Sequence, residues 1–181
     1  MARQVKVITA AEAAALIKNG DTVTTSGFVA SAIPEALDRA VEERFLATGE
    51  PRDITYVYCG SQGNKDGRGA EHFAHEGLLK RYIAGHWATV PALQKMALEN
   101  KMEAYNVSQG ALCHLFRDIA AHRPGCFTKV GLGTFIDPRN GGGKVNDVTK
   151  EDIIELVNIK GQDYLFYPAF PINVALIRGT Y

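Results

Sequence analysis

Short runs of β-branched and aromatic residues recur along the chain, each followed by a glycine- or proline-marked turn and then a helical pattern. That alternation limits the fold more than any other feature, because parallel strands need a crossover and a helix supplies it. Thr9 with Glu12 matches a capping box ahead of a first helix over 10–18, and Asn19-Gly20 stops it. TVTT at 22–25 reads as a strand, and Pro34 opens a helix with Leu37, Ala40, Val41 and Phe45 on one face. ITYVYC at 54–59 is a buried strand, followed by a polar loop over 60–70, a helix near Glu71 to Lys80, and RYIAGHW as the next strand. A helix over 91–100 and a strand over 102–107 come next. Leu112, Leu115, Phe116 and Ile119 then mark a helical core face that Gly125 ends. The prediction is an α/β fold: a mostly parallel open sheet with helices on both faces and right-handed crossovers.

After Phe127 to Leu132 the pattern changes. The loop TFIDPRNGGGKVND precedes IIELVNIK and DYLFYPAF, which pair as a hairpin around Gly161-Gln162, a small antiparallel embellishment. INVALIRGT at 172–180 is another strand, and the chain stops at Tyr181 without a cap, tail or linker, so residues 1–181 read as one truncated domain. Twenty basic residues balance twenty acidic ones, which leaves no global field to draw the chain onto nucleic acid. Cys59, Cys113 and Cys126 form no CxxC pair and point to reduced thiols in the cytoplasm. No apolar run reaches the roughly 20 residues that span a bilayer.

Three stretches carry candidate chemistry. TTSGFVASAIPEALDRA at 24–40 is a strand-to-helix turn of the kind that presents free N–H groups, but Gly27 alone does not make a GxGxxG fingerprint. CGSQGNKDGRG at 59–69 follows a strand, so in an open α/β sheet it sits at the ligand crevice. Gln109-Gly110 opens the next helix at the same end. Several uncharged donors converging there suit an oxyanion or a thioester carbonyl better than a phosphate, while capping and solvation remain the bland alternatives. EHFAHE, with His72 and His75, lacks the HExxH register, so no metal is expected and a solvated helical face is the reading taken. His114 and His122 lie off the apolar face of their helix, His86 follows Gly85 at a strand end, and no GxSxG elbow occurs.

Taken in order, TTSGFVASAIPEAL, YCGSQGNKDGRGAEHFAHEGLLKRYIAGHW, EAYNVSQGALCHLFR, VGLGTFIDPRNGGGKVNDVTKED and LFYPAFPINVALIRGTY resemble the amino-terminal half of the class I coenzyme A transferases. The likeness is greatest to the single-chain propionate (acetate) branch and covers nearly all 181 residues. In two-subunit members of that family the opening turn reads GGFGxxGxPxxL. Here Ser26, Val29 and Ala32 replace three of its glycines, while Gly27, Phe28, Pro34 and Leu37 remain.

The resemblance implies a Rossmann-like sheet, no permanently bound cofactor, and coenzyme A or an acyl-CoA as substrate beside short-chain carboxylates such as acetate, propionate or lactate. It implies ping-pong transfer through a glutamate nucleophile in a carboxyl-terminal half, a partner that this sequence lacks, within a homo-oligomer. None of the chain's eleven glutamates sits in a matching motif, so the chain alone is expected to be inactive. By the same resemblance Gly27, Phe28, Ser61, Gln62, Asn64, Gln109 and Gly110 line the substrate site. An acyl-CoA hydrolase on the same scaffold, or a non-catalytic ligand-binding module, are the alternatives.

Overall fold

The computed structural model describes residues 5–179; the first four residues, Thr180 at the end of the last expected strand, and Tyr181 lie outside it. In chain order the elements are α1 (Ala10–Ala14), β1 (Thr22–Thr25), α2 (Glu35–Thr48), β2 (Ile54–Tyr58), a 3-10 turn (Gly69–Phe73), β3 (Leu79–Ala84), α3 (Pro91–Leu98) and β4 (Glu103–Asn106). They continue with α4 (Gln109–Ala120), β5 (Gly125–Thr128), a second 3-10 turn (Pro138–Asn140), β6 (Glu155–Ile159), β7 (Gln162–Pro168) and β8 (Val174–Leu176). No helix among the described residues is long and apolar enough to cross a membrane.

Five strands form one parallel sheet in the order β4-β3-β2-β1-β8, and β5-β7-β6 form a separate antiparallel sheet. Side chains alternate across the large sheet with period two. Ile54, Tyr56, Tyr82, Ala84 and Ala104 point to one side, where they pack with Ala14, Ala40, Val41, Phe73, Leu93 and Met96 from α1, α2, the first 3-10 turn and α3. Val57, Ile83 and Tyr105 point to the other, against Leu112 and Leu115 of α4 and Leu165 and Tyr167 of the small sheet. Helices therefore cover both faces, as periodicity predicted, and the small sheet shares the second face with α4.

The glycine-rich stretch after the second 3-10 turn closes the β4 edge, which would otherwise offer unpaired backbone groups. Asn106 N donates to Gly143 O at 2.8 Å and Val145 N to Ala104 O at 2.9 Å. Gly143 adopts φ 75°, and a Cβ there would meet the Asn106 carbonyl at 2.8 Å, so only glycine approaches this closely. Asn146 Nδ2 then donates to the carbonyls of Ala97 and Met102, holding the end of α3.

Several sequence expectations need correction. Residues 71–80 are not a helix: the 3-10 turn ends at Phe73, Gly77 turns the chain at φ 89°, and β3 starts at Leu79 and ends at Ala84. Gly125 does not end α4, which stops at Ala120 with His122 in the left-handed position at φ 54°; Gly125 opens β5, which ends at Thr128. The last strand covers only Val174–Leu176. The EHFAHE segment is not a solvated face, since Glu71 and His72 are buried.

His72 instead bridges two carboxylates of α2, with Nε2 3.0 Å from Glu35 Oε1 and Nδ1 2.6 Å from Glu42 Oε2. His75 Nε2 reaches the other Glu42 oxygen at 2.6 Å. Ionised carboxylates only accept hydrogen bonds, so both His72 ring nitrogens donate and the ring is an imidazolium. Burial opposes that charge, but the hydrogen bonds to Glu35 and Glu42 and their negative charges outweigh it and raise the His72 pKa above 6.5. Burial likewise opposes ionisation of Glu35 and Glu42, and their bonds to His72, Gly69 and His75 hold both below 4.5. Behind them Asp38 is buried and its carboxyl has no hydrogen-bond partner among the described residues, so burial pushes its pKa up to about 7, with the His72 charge opposing and the Glu35 charge adding.

The linkage has two sides. Stabilisation from the imidazolium is complete below pH 6.5 and is lost as pH rises through the raised His72 value, while that from the two carboxylates is complete above pH 4.5 and is lost as pH falls through their lowered values. Asp38 adds a loss that grows from pH 3.8 to about 7, because the unfolded chain releases a proton that the folded one keeps. The urea midpoint of unfolding should therefore fall between about pH 6 and pH 9. His72→Gln should flatten the part of that fall above pH 6.5, and Asp38→Asn the part below about 7. A midpoint that is flat in the parent protein would refute the imidazolium bridge.

Candidate functional site

All five strands of the large sheet run the same way, so the segments that leave β1, β2, β3, β4 and β8 emerge along one edge. After β1 the chain makes a tight turn in which Phe28 and Ser31 exchange backbone hydrogen bonds of 2.9 Å in both directions. Gly27 has φ 114°, and a Cβ there would lie 2.9 Å from the Ser31 carbonyl. Val29 and Ala32, two of the positions at which the two-subunit family pattern carries glycine, keep left-handed φ values of 53° and 55°. A β-branched residue in that region costs on the order of 1–2 kcal/mol, and such strain persists only where the surroundings over-determine it.

The surroundings here are the loop after β2. Val29 N donates to Ser61 O at 3.0 Å and Gly63 N to Val29 O at 2.9 Å, a short parallel bridge between the two loops. Gln62 completes it from beneath. Its amide nitrogen donates to the Ser26 carbonyl, which can only accept, so its oxygen faces the Tyr56 hydroxyl, which donates to it at 2.7 Å. Tyr56 has one proton, so the Thr25 hydroxyl, 2.5 Å away, donates to Tyr56. Burial holds the Tyr56 phenol well above its ordinary pKa, which keeps it a donor.

The sequence-predicted residues thus divide. Phe28 is 64% exposed, and Gln109 and Gly110 are exposed on the first turn of α4. Asn64 folds its own loop, accepting from Asp66 N at 3.0 Å and Arg68 N at 3.3 Å. Ser61 and Gln62 are buried: the Ser61 hydroxyl bonds that of Thr89, and Gln62 forms the lock just described, so their side chains do not face the crevice as expected. A run of contacts joins the exposed members across four strand ends. A Cβ on Gly60 would lie 3.7 Å from the Phe28 ring, and one on Gly85 would lie 2.4 Å from the Cys59 carbonyl and 2.3 Å from Gln109 Cγ. Gly85 is therefore the seat of Gln109, whose Nε2 reaches the Gly85 carbonyl at 3.4 Å. Sequence reasoning passed over Gly85; its place directly after a strand end was the available signal.

Lys65, Arg68, His86 and Arg178 are exposed on these same segments, and among the described residues none of them makes an ion pair. Lys65, Arg68 and Arg178 thus bring three cations to the crevice edge, with Asp66 exposed between Lys65 and Arg68, although the whole chain carries no net charge. Burial and the neighbouring Cys113 thiol push Cys59 up to about 12, and the Glu35 carboxylate is engaged by His72 and Gly69 N, so neither is free to attack a substrate. The arrangement can bind an anionic acyl compound and donate to a carbonyl oxygen.

Removing the lock should loosen the rim. Gln62→Leu leaves the Ser26 carbonyl and the Tyr56 hydroxyl short of partners and should cost about 2–3 kcal/mol in urea unfolding. Tyr56→Phe should cost about 1–2 kcal/mol, and the double variant less than the two together, because both act on one network.

The coenzyme A transferase family model matches residues 7–181. The caffeate CoA-transferase of Acetobacterium woodii is 42% identical over 175 residues, which is 97% of this chain and 33% of that protein. Acetate CoA-transferase YdiF of Escherichia coli (strain K12) is 39% identical over 179 residues, 98% of this chain and 34% of that one. The chain thus spans about a third of the length of the relatives it matches. The acyl-CoA transferase YdiF of Escherichia coli O157:H7, solved as a thioester complex with CoA, superposes with a TM-score of 0.94 at 38% identity over 98% of this chain and 35% of that one. A family match over nearly the whole chain, on a fold shared this closely, makes the chain a member of the coenzyme A transferase family.

Proposed function

We propose that the chain supplies the acid-binding crevice of an enzyme that moves coenzyme A between short-chain carboxylic acids such as acetate, propionate and lactate. The observation that carries this reading is the run of contacts from Phe28 through Gly60 and Gly85 to Gln109, which seats one neutral amide donor near exposed Lys65, Arg68 and Arg178 at the strand ends of a coenzyme A transferase fold. The chemistry is ping-pong, with the nucleophilic glutamate on a carboxyl-terminal half of the complete cytoplasmic, homo-oligomeric enzyme. A glutamate oxygen attacks the thioester carbonyl, and the C–S bond breaks to release CoA thiolate and leave an acyl-glutamyl anhydride. The thiolate then attacks the glutamyl carbonyl, expelling the donor acid and forming a glutamyl-CoA thioester, from which the incoming acid takes CoA by the reverse sequence.

In that scheme the Gln109 amide, held by Gly85, donates to the oxygen on which charge develops. The cations Lys65, Arg68 and Arg178 attract the carboxylate and the phosphates of CoA, and that remote binding energy assists reaction at the thioester.

In the native polypeptide that carries this chain, acetyl-CoA and propionate should exchange to propionyl-CoA and acetate with parallel double-reciprocal plots, and the 181-residue chain alone should not turn over. Absence of exchange with acetate, propionate and lactate in that polypeptide would rule the reading out. Gln109→Ala should lower kcat about 10²-fold. Gly85→Ala should do the same by displacing Gln109, while Gln109→Glu should not restore the rate, because a carboxylate cannot donate.

A further inference from the structure

A groove of about 260 Å3 lies along the outer side of β4, beginning at the crevice edge. Trp87, two residues beyond Gly85, and Asn106, at the carboxyl end of β4, mark the crevice end; Ala97 and Leu98 of α3 and Val145 of the edge-closing segment form its apolar surface. Gln109 stands three residues beyond Asn106 and is seated on Gly85, so the rim and the groove share the same two chain segments.

The groove has features that ordinary surface lacks. Leu98 is 80% exposed and Val145 is exposed beside it, although α3 buries Leu93 and Met96 on its other side. The Asn106 backbone is engaged by Gly143, while its side-chain amide makes no hydrogen bond among the described residues. The wall is held firmly: Gln94 Nε2 donates to the Trp87 carbonyl at 2.5 Å, and the indole packs edge-on against Tyr82 with ring centroids 4.6 Å apart. A fixed aromatic wall, aliphatic side chains and one free amide form a lining that accepts hydrocarbon and orients a polar group at its mouth.

We infer that this groove is an acyl-chain subsite, which receives the hydrocarbon tail of the acid whose carboxyl group lies at Gln109. The inference rests on the proposed function for the position of the carboxyl group. The class of acid it takes is then aliphatic or arylalkyl, with a tail longer than the single methyl group of acetate. Leu98 and Val145 are the specificity-determining residues, because they supply the apolar surface that a longer tail covers.

Trp87 is the only tryptophan of the chain, so its emission reports on the groove directly. Titration of the 181-residue protein with hexanoate should give a saturable blue shift of that emission, and acetate at equal concentration should give none. Leu98→Gln, at an exposed position outside the core, should retain the circular dichroism of the parent and weaken hexanoate about fivefold or more. No saturable shift with hexanoate, an equal shift with acetate, or an unchanged hexanoate affinity in Leu98→Gln would each overturn the subsite. The readout needs no turnover: a hexanoate shift in a protein that exchanges no CoA would leave the subsite standing and remove the transferase reading. CoA exchange on acetate without a hexanoate shift would do the reverse.

Discussion

One buried hydroxyl governs the shape of the crevice. A parallel sheet delivers its loops to a common edge, but it does not determine how those loops lie against one another. Tyr56 settles this from within β2, accepting from Thr25 on the neighbouring strand and donating to Gln62 in the loop that follows its own strand. Gln62 passes the link on to the Ser26 carbonyl, at the start of the opposing turn. The strained backbone at Val29 persists because this network is buried and each of its side chains is hydrogen-bonded, conditions under which a polar chain rigidifies its surroundings.

Behind the rim, glutamates do the work that a longer helix would otherwise do. Glu71 accepts from Gly67 N at 3.0 Å and Ala92 N at 2.8 Å, and Glu35 accepts from Gly69 N at 3.0 Å, so the far end of the glycine-rich loop is held by carboxylates rather than by side-chain packing. The imidazolium of His72 then offsets the charges of Glu35 and Glu42. Glu35, Glu42 and Glu71 are thereby engaged on the inner side of the loop, while Lys65, Arg68 and Arg178 stay exposed with Asp66 as the acid among them. The crevice edge thus carries more basic than acidic side chains in a chain of zero net charge.

Most of the architecture was legible from periodicity. The β2, β3 and β4 segments announce themselves as short runs rich in β-branched and aromatic residues, α4 by its Leu112, Leu115, Phe116 and Ile119 face, and the β6–β7 hairpin by Gly161. The capping box at Thr9 and Glu12 is present, with Glu12 N donating to Thr9 Oγ1 at 3.2 Å. Reading failed where local pattern and long-range contact compete. The segment after Arg68 carries helix formers and charge, yet folds as a buried 3-10 turn because its partners are Glu35 and Glu42, some 30 residues earlier in the chain. The GGGK segment offers only a loop signal, and its use as an edge cover depends on Asn106 and Ala104 lying alongside it.

The sequence by itself determined the class of fold and the family resemblance, and it singled out the stretches at the strand ends as candidates, since each follows from spacing and residue type along the chain. Only the tertiary structure decided which of those residues face the crevice. Gln109 and Gln62 both stand in Ser-Gln-Gly, yet one lies exposed on the first turn of α4 while the other is buried beneath the rim. The reason is physical: a side-chain amide takes whichever orientation satisfies its donors and acceptors. Those partners, the Gly85 carbonyl for Gln109 and the Ser26 carbonyl and Tyr56 hydroxyl for Gln62, come from other strands and exist as neighbours only once the sheet has formed.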